Sequence, residues 1–264
     1  MELGIIGVGR MGSAIAAGLI ERRIFSPGEL LVFDLDRERA RAFSAAYGPA
    51  AAASAADLVR GCRSVLLAVK PQDRSAALEP IGAIGIEGPL ISILAGVPTS
   101  ALESIRPGLR VIRVMPNLGV RVGAGLSFYC AGRNGRESDR VLAARIFGGL
   151  GEAFEIDESL MNAVTALSGS GPAYFFRLME IMAGFGRAAG LAPEVAAKLA
   201  SRTALAAALL ARDGDPAALR GEVTSRGGTT EAAFRVLEEG NLSGLFESAL
   251  AAAVKRGREL AEGR

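Results

Sequence analysis

The sequence predicts an α/β chain, a doubly wound and mostly parallel sheet over residues 1–157 followed by an all-helical domain over residues 158–264. Three observations carry this prediction. Apolar runs of strand length alternate with helical patterns through the first 157 residues. The first run, Leu3-Gly4-Ile5-Ile6, meets three glycines at Gly7, Gly9 and Gly12, and a helical stripe of Ile15, Leu19 and Ile20 follows. Past Asp157 no convincing strand remains, and helical periodicity takes over.

The turn Gly7-Val8-Gly9-Arg10-Met11-Gly12, set between strand and helix, is the fingerprint of a Rossmann-type dinucleotide site. The first glycine permits the tight turn, the second lets backbone approach a pyrophosphate, and the third lets helix and strand pack closely. Unpaired N–H groups at the helix start then face the phosphates. A second strand, Leu30-Leu31-Val32-Phe33, ends at Asp34, 22 residues past Gly12. An acid there accepts hydrogen bonds from the adenine ribose 2′-OH and repels a 2′-phosphate, which favours NADH over NADPH. Arg37 and Arg39 follow within reach of a 2′-phosphate, and Asp34 or Asp36 is also placed to cap a helix over 37–47.

The third run, Ser64 to Val69, is closed by Lys70-Pro71, where proline stops the strand and opens a helix. Lys70 is one of three lysines and stands at the carboxyl end of a strand, where open α/β sheets bind ligands. A fourth strand, Pro89 to Leu94, leads into Ala95-Gly96-Val97-Pro98, with Thr99 or Ser100 as cap and Glu103 as capping-box partner of a short helix. A fifth, Arg110 to Met115, ends in Met115-Pro116-Asn117. Strands at 125–130 and 152–156 flank a helix over 136–149. Helical segments follow at 158–168, 172–190, 193–212, 228–240 and 242–262. The stretch Ala196 to Leu210 is apolar almost all round, which predicts burial against a partner subunit.

Composition excludes several classes of function. The chain has 264 residues, with a net charge of +2 from 30 basic and 28 acidic residues and no basic block, so neither nucleic acid nor an anionic membrane is indicated. It contains no histidine, which removes histidine triads and imidazole metal ligands, and no metal site is expected. Cys62 and Cys130 lack metal-ligand spacing and read as buried thiols. No apolar run spans a bilayer, and the phosphate turn begins at residue 7, so a cytoplasmic enzyme without a targeting peptide is expected.

Two turns in the helical half break its pattern. Ser168-Gly169-Ser170-Gly171 precedes Pro172-Ala173-Tyr174, and Ser225-Arg226-Gly227-Gly228-Thr229-Thr230 precedes Glu231-Ala232. Each presents backbone N–H groups and hydroxyls at a helix start, suited to a carboxylate or an amide; each also serves as a capped connector. With the glycine fingerprint, Ala68-Val69-Lys70-Pro71, Ala95-Gly96-Val97 and Met115-Pro116-Asn117, these turns give a chain that resembles pyrroline-5-carboxylate reductase over its whole length.

That resemblance implies an NAD(P)H-dependent reduction of the ring C=N bond of 1-pyrroline-5-carboxylate to L-proline, the last step of proline biosynthesis, and it points towards NADPH, which many members prefer, where Asp34 points towards NADH. It implies a homodimer through the helical domain, often assembled further into a decamer. It assigns Thr230 to the ring nitrogen, Ser168 to the turn beside nicotinamide and substrate, and Ser170, Gly171, Ser225, Gly227, Gly228 and Thr229 to the substrate. Ala68, Val69, Lys70, Pro71, Ala95, Gly96 and Asn117 join the glycine turn, Asp34 and Arg37 as cofactor-binding residues. The absence of histidine is compatible with this chemistry, because a hydroxyl and solvent can serve a nitrogen whose basicity rises as hydride arrives. Two stretches depart from the family pattern: Leu118-Gly119 replaces a usual Thr-Pro, and Arg226 replaces a usual proline. Other readings are a regulatory nucleotide-binding paralogue, a reductase of another cyclic imino acid, and a β-hydroxyacid dehydrogenase. The last needs a helix lysine that Lys198 and Lys255 are poorly placed to supply.

Overall fold

The computed structural model describes residues 1–261, apart from the side chains of Pro71 and Ala261. The last residue of the predicted helix 242–262, and any contact of the Pro71 side chain with a cofactor, lie outside the described residues. The chain divides into two compact units, one from Met1 to Gly169 that also takes in the chain from Ala253, the other Ser170–Ala252.

The first unit is built on one sheet. In chain order it has β1 (Leu3–Ile6), α1 (Arg10–Glu21), β2 (Leu30–Phe33), α2 (Arg37–Tyr47), β3 (Ala50–Ala51), α3 (Ala55–Gly61) and β4 (Ser64–Leu67). Then come α4 (Arg74–Ile84), β5 (Leu90–Ser92), α5 (Thr99–Glu103), β6 (Val111–Met115), β7 (Gly125–Ala131), α6 (Glu137–Gly148) and β8 (Gly151–Glu155). The strand order is β3-β2-β1-β4-β5-β6-β7-β8. All neighbours are parallel except β6 and β7, which run antiparallel with Met115 opposite Phe128. Residues 116–124 are too few for the crossover that a parallel return requires, so the chain turns back directly.

The strands read as continuous apolar runs because helices cover both faces. Leu3, Ile5, Val65, Leu66, Leu67, Leu90, Ile91, Val111 and Ile112 are fully buried. The order reverses at β1, which lies between β2 and β4; a doubly wound sheet opens a crevice at such a point, beyond the strand carboxyl ends. The glycine turn, Asp34 and Lys70 stand at those ends.

Past β8 the chain stays with the sheet longer than composition predicts. The segment α7 (Met161–Val164) is preceded by a 3-10 turn at Glu158–Leu160 and followed by a π-helical turn at Thr165–Gly169. Met161 is completely buried in a cluster with Met115 and Cys130, and Ile156, Val164 and Ala95 pack around it. This contact holds residues 158–169 in the first compact unit, which runs to Gly169.

The second unit contains α8 (Gly171–Ala188), α9 (Pro193–Ala211), α10 (Pro216–Glu222), α11 (Thr229–Glu239) and most of α12 (Leu242–Ala261). The helix α10 is absent from the sequence reading, although Asp215-Pro216 is a helix-start signature: the Asp215 carboxylate accepts from the N–H groups of Ala217 and Ala218 at 3.3 and 3.1 Å. In α9 only Ala196 and Ala200 are buried. Phe175, Phe185, Leu199, Leu209 and Leu210 are 62%, 76%, 53%, 57% and 65% exposed within the single chain, far more apolar surface than a monomeric helical unit carries. Among the described residues no helix is long and apolar enough to cross a membrane, and no group of three or more His, Cys, Asp or Glu side chains is arranged to hold a metal.

Candidate active site

A cleft of about 1090 Å³ opens at the carboxyl ends of β1, β2 and β4, lined by Gly7, Val8, Gly9, Arg10 and Met11, by Asp34, Leu35 and Asp36, and by Val69 and Lys70, among others. The three glycines divide the work as their spacing implies. Gly7 has φ +97°, and a Cβ there would lie 2.7 Å from the Ala68 carbonyl oxygen. At Gly12 a Cβ would come within 1.9 Å of the Gly7 carbonyl oxygen and 3.0 Å of the Ala68 methyl, so helix–strand packing demands glycine. At Gly9 a Cβ would meet nothing within 4 Å. The open space above Gly9, at the start of α1, is the cradle a pyrophosphate fits. Gly12 and Ala68 therefore shape the turn from behind rather than line the cleft.

Asp34 is buried at the foot of the cleft. Its Oδ2 accepts from the Val8 N–H at 2.9 Å and its Oδ1 from the Asp36 N–H at 2.9 Å, which pins the carboxylate and ties the glycine turn to the end of β2. The cap of α2 is Asp36, whose Oδ1 accepts from the Arg39 N–H at 3.1 Å. Arg39 lines the cleft and Arg37 does not: the Arg39 guanidinium donates to Asp34 at 3.2 Å and to Asp36 at 3.0 Å. The cation beside the ribose end is thus already shared by two carboxylates, leaving this corner with one net negative charge.

A second cluster forms at the ends of β5 and β6. Asn117 Oδ1 accepts from the N–H groups of Gly119 and Leu126 at 3.0 and 3.1 Å, closing the β6–β7 turn, and its Nδ2 donates to Ser168 Oγ at 3.2 Å. Ser168 lies on the π-helical turn, an irregularity that recurs at functional sites. Gly169 sits over Met115, where a Cβ would be 3.3 Å from its sulfur. The loop Ala95-Gly96-Val97-Pro98 leaves β5 beside this cluster, with Gly96 at φ +74°.

The sequence reading missed the group that joins these parts. No hydroxyl caps α5. Pro98 occupies the cap position, and the Thr99 N–H donates to Glu158 Oε1 at 2.8 Å. Thr99 Oγ1 donates to Glu158 Oε2 at 2.6 Å, and Arg113 Nη1 to Glu158 Oε1 at 3.0 Å. Glu103, expected in the capping box, instead accepts from the Asn134 N–H at 3.2 Å. The signal was in the sequence: an arginine inside the apolar run Val111-Ile112-Arg113-Val114 has to find an acid when the strand is buried.

In the helical unit, Ser170 opens α8 and Gly171 is buried at its first turn. Tyr174 meets Phe246 edge to face at 5.8 Å. The turn 225–230 opens α11: Gly227 has φ +72°, the Gly227 N–H donates to Glu231 Oε2 at 2.7 Å, and the Gly228 N–H donates to the Ser225 carbonyl at 3.0 Å. Thr229 is exposed and Thr230 partly so, both in the first turn of α11, where N–H groups lack intrahelical partners.

Known proteins match both halves of the chain. A profile of the pyrroline-5-carboxylate reductase dimerisation region matches residues 158–260, and one of coenzyme F420-dependent NADP oxidoreductases matches residues 2–96. The pyrroline-5-carboxylate reductase of Methanosarcina acetivorans is 38% identical, over 98% of this chain and 97% of its own. The chain belongs to the pyrroline-5-carboxylate reductase family. The Arabidopsis thaliana member is 35% identical over 99% of this chain and 96% of its own. Among solved structures, the Plasmodium falciparum pyrroline carboxylate reductase with NADP bound superposes with a TM-score of 0.91 at 28% identity, covering 99% of this chain and 98% of that one. The Coxiella burnetii pyrroline-5-carboxylate reductase gives 0.89 at 34% identity, with 98% of both chains covered.

Within the pyrroline-5-carboxylate reductases, the Leu118-Gly119 departure has a local explanation. A Cβ on Gly119 would lie 2.3 Å from the Ala124 carbonyl oxygen, and the Gly119 N–H that Asn117 binds does not exist in a proline. Here the turn is closed by the Asn117 side chain and a bare backbone.

Proposed function

We propose that the chain reduces the C=N bond of 1-pyrroline-5-carboxylate to L-proline, with NAD(P)H as hydride donor. The observation that carries this reading is the pairing of an intact dinucleotide cradle with the Asn117–Ser168 contact, in a chain of this family. When bound, the reduced nicotinamide supplies the hydride.

The residues of the chain do the rest. Gly7 to Gly12 hold the pyrophosphate on the start of α1, and Asp34 receives the ribose hydroxyls. Ser168, fixed by Asn117, borders the ring-binding end, with Ala95 and Gly96 alongside. The turn Ser225–Thr230 holds the substrate carboxylate through the N–H groups at the start of α11 and the hydroxyls of Ser225 and Thr229, with the Gly227 and Gly228 N–H groups exchanging their bonds to Glu231 and the Ser225 carbonyl for the substrate. The exposed Arg226 adds positive charge to that turn. Thr230 offers its hydroxyl to the ring nitrogen, which gains basicity and a proton as the C=N bond is reduced. Most of the rate gain comes from positioning, because neither a nucleophile nor a strong acid is needed.

For the adenine end we propose a bias towards NADH. Asp34 is pinned by two backbone N–H groups, and Arg39 is already neutralised by Asp34 and Asp36, so a 2′-phosphate would meet net negative charge. The homodimer forms through the apolar faces of α8 and α9, with a decamer as the higher assembly, in the cytoplasm. The test is steady-state turnover of 1-pyrroline-5-carboxylate with NADH and with NADPH, for wild type and Thr230→Val. The expected result is turnover with both cofactors, a higher kcat/KM for NADH, and a loss of about 10²-fold or more in the variant. A folded wild type that oxidises neither cofactor contradicts the reading.

A further inference from the structure

Glu158 joins three separate pieces of the second cluster: its own 3-10 turn, the start of α5 and the buried strand β6. Its Oε1 accepts from the Thr99 N–H, at the end of the Ala95–Pro98 loop, and from Arg113 in β6. Its Oε2 accepts from Thr99 Oγ1. Arg113 is only 4% exposed, and its Nε has no hydrogen-bond partner among the described residues, so the guanidinium depends on this carboxylate for its compensation. Two residues beyond Arg113, β6 ends and delivers Asn117; ten residues beyond Glu158 stands Ser168, which Asn117 binds. The path from Glu158 through the buried Met161 to the π-helical turn is short and packed.

We propose that Glu158 is a positioning residue for the reduction. Its junction with Arg113 and Thr99 fixes the Ser168 turn and the Ala95–Pro98 loop relative to the Asn117 turn, and so sets where the nicotinamide end of the site holds the reacting ring. It does not touch the dinucleotide cradle, which lies at the ends of β1, β2 and β4. Displacement of reacting groups by about 1 Å costs on the order of 10²-fold in rate, so the junction acts on the chemical step and spares cofactor affinity. The kinetic half of this inference rests on the reductase function proposed above.

The experiment compares wild type with Glu158→Ala and with the isosteric Glu158→Gln, which keeps an oxygen for Arg113 and the Thr99 N–H. A paired Arg113→Met, Glu158→Leu variant removes both charges together, so no buried ion is left uncompensated if the alanine variant does not fold. Three quantities are read at a temperature where each variant is folded: cofactor Kd from nicotinamide fluorescence, kcat with its isotope effect from cofactor deuterated at C4, and amide hydrogen exchange of residues 161–169. The junction predicts that the alanine or paired variant loses about 10- to 100-fold in kcat with an increased isotope effect and faster exchange in 161–169, at a Kd within about twofold of wild type. It also predicts that Glu158→Gln recovers most of the loss. Unchanged kcat and unchanged exchange in a folded variant overturn it, as does a loss expressed wholly in cofactor affinity. If the wild type itself shows no turnover, the reductase reading fails, and exchange in 161–169 alone decides whether Glu158 holds the Ser168 turn.

Discussion

The three glycines of the first turn have different reasons to be glycine, and single substitutions separate them. Gly9 has φ −69°, and its Cβ would point into open space. Gly9→Ala should therefore leave the stability of the free protein within about 1 kcal/mol, while weakening cofactor binding at least about tenfold, because the methyl occupies the phosphate's place. Gly12→Ala forces a methyl against the Gly7 carbonyl and should cost about 3 kcal/mol or more. Thermal denaturation and a fluorescence titration of the two variants distinguish binding space from packing space. The cysteines supply a pH prediction. Burial raises Cys62 from 9.0 to about 11 and Cys130 from 9.0 to about 12, so both are protonated and inert at neutral pH. Because the folded values lie above the unfolded one, their contribution is complete below about pH 8.5 and is lost as pH rises through 11 and 12. Urea unfolding between pH 8 and 11 should show this decline, with a shallower slope in Cys62→Ala and Cys130→Ala. Alkylation at pH 7.5 should proceed only as fast as the protein unfolds.

At the scale of elements, the turn after β6 carries a direct prediction. Gly119→Pro removes the N–H that Asn117 binds and sets ring atoms against the Ala124 carbonyl. It should destabilise by about 3 kcal/mol and loosen Ser168, despite restoring a residue usual in the family. A change confined to thermal stability within about 0.5 kcal/mol would contradict that account of the turn. The same scale shows what a sequence reveals. Apolar runs such as those of β1 and β4, and helices with a wide apolar stripe, are legible because burial writes a period or an unbroken run into the chain. The two-residue β3 carries no such signal, and Ala50-Ala51 pairs with β2 only because β2 is already there. The Glu158 cap on α5 spans 59 residues, and no local pattern encodes a cap supplied from so far away. The π-helical turn reads in the sequence only as a break in periodicity at Ser168-Gly169, not as a packed extension of the sheet unit.

For the whole molecule, the apolar faces of α8 and α9 demand a partner. Phe185→Glu or Leu209→Glu, at positions 76% and 57% exposed in the single chain, should shift the protein from dimer to monomer in sedimentation experiments and expose it to aggregation at higher concentration. Wild type sedimenting as a stable monomer would contradict the proposed dimer. The site is similarly divided in its legibility. The cofactor half follows from strand, glycines and acid in fixed order, and the structure gathers Gly7, Gly9 and Asp34 in one cleft with Gly12 packed behind it. The substrate half rests on the turns at 168–171 and 225–230, whose glycines and hydroxyls are equally good connectors; only the family resemblance gives them roles. Arg39 rather than Arg37 faces Asp34 because capping by Asp36 sets the phase of α2, a detail that spacing alone leaves open. Hydride transfer to a cyclic imine is tested most directly by isotope tracing. Incubation of 1-pyrroline-5-carboxylate with cofactor deuterated at C4 should give L-proline carrying one deuterium, on the ring carbon next to nitrogen and away from the carboxylate. Cofactor binding without labelled proline would contradict it.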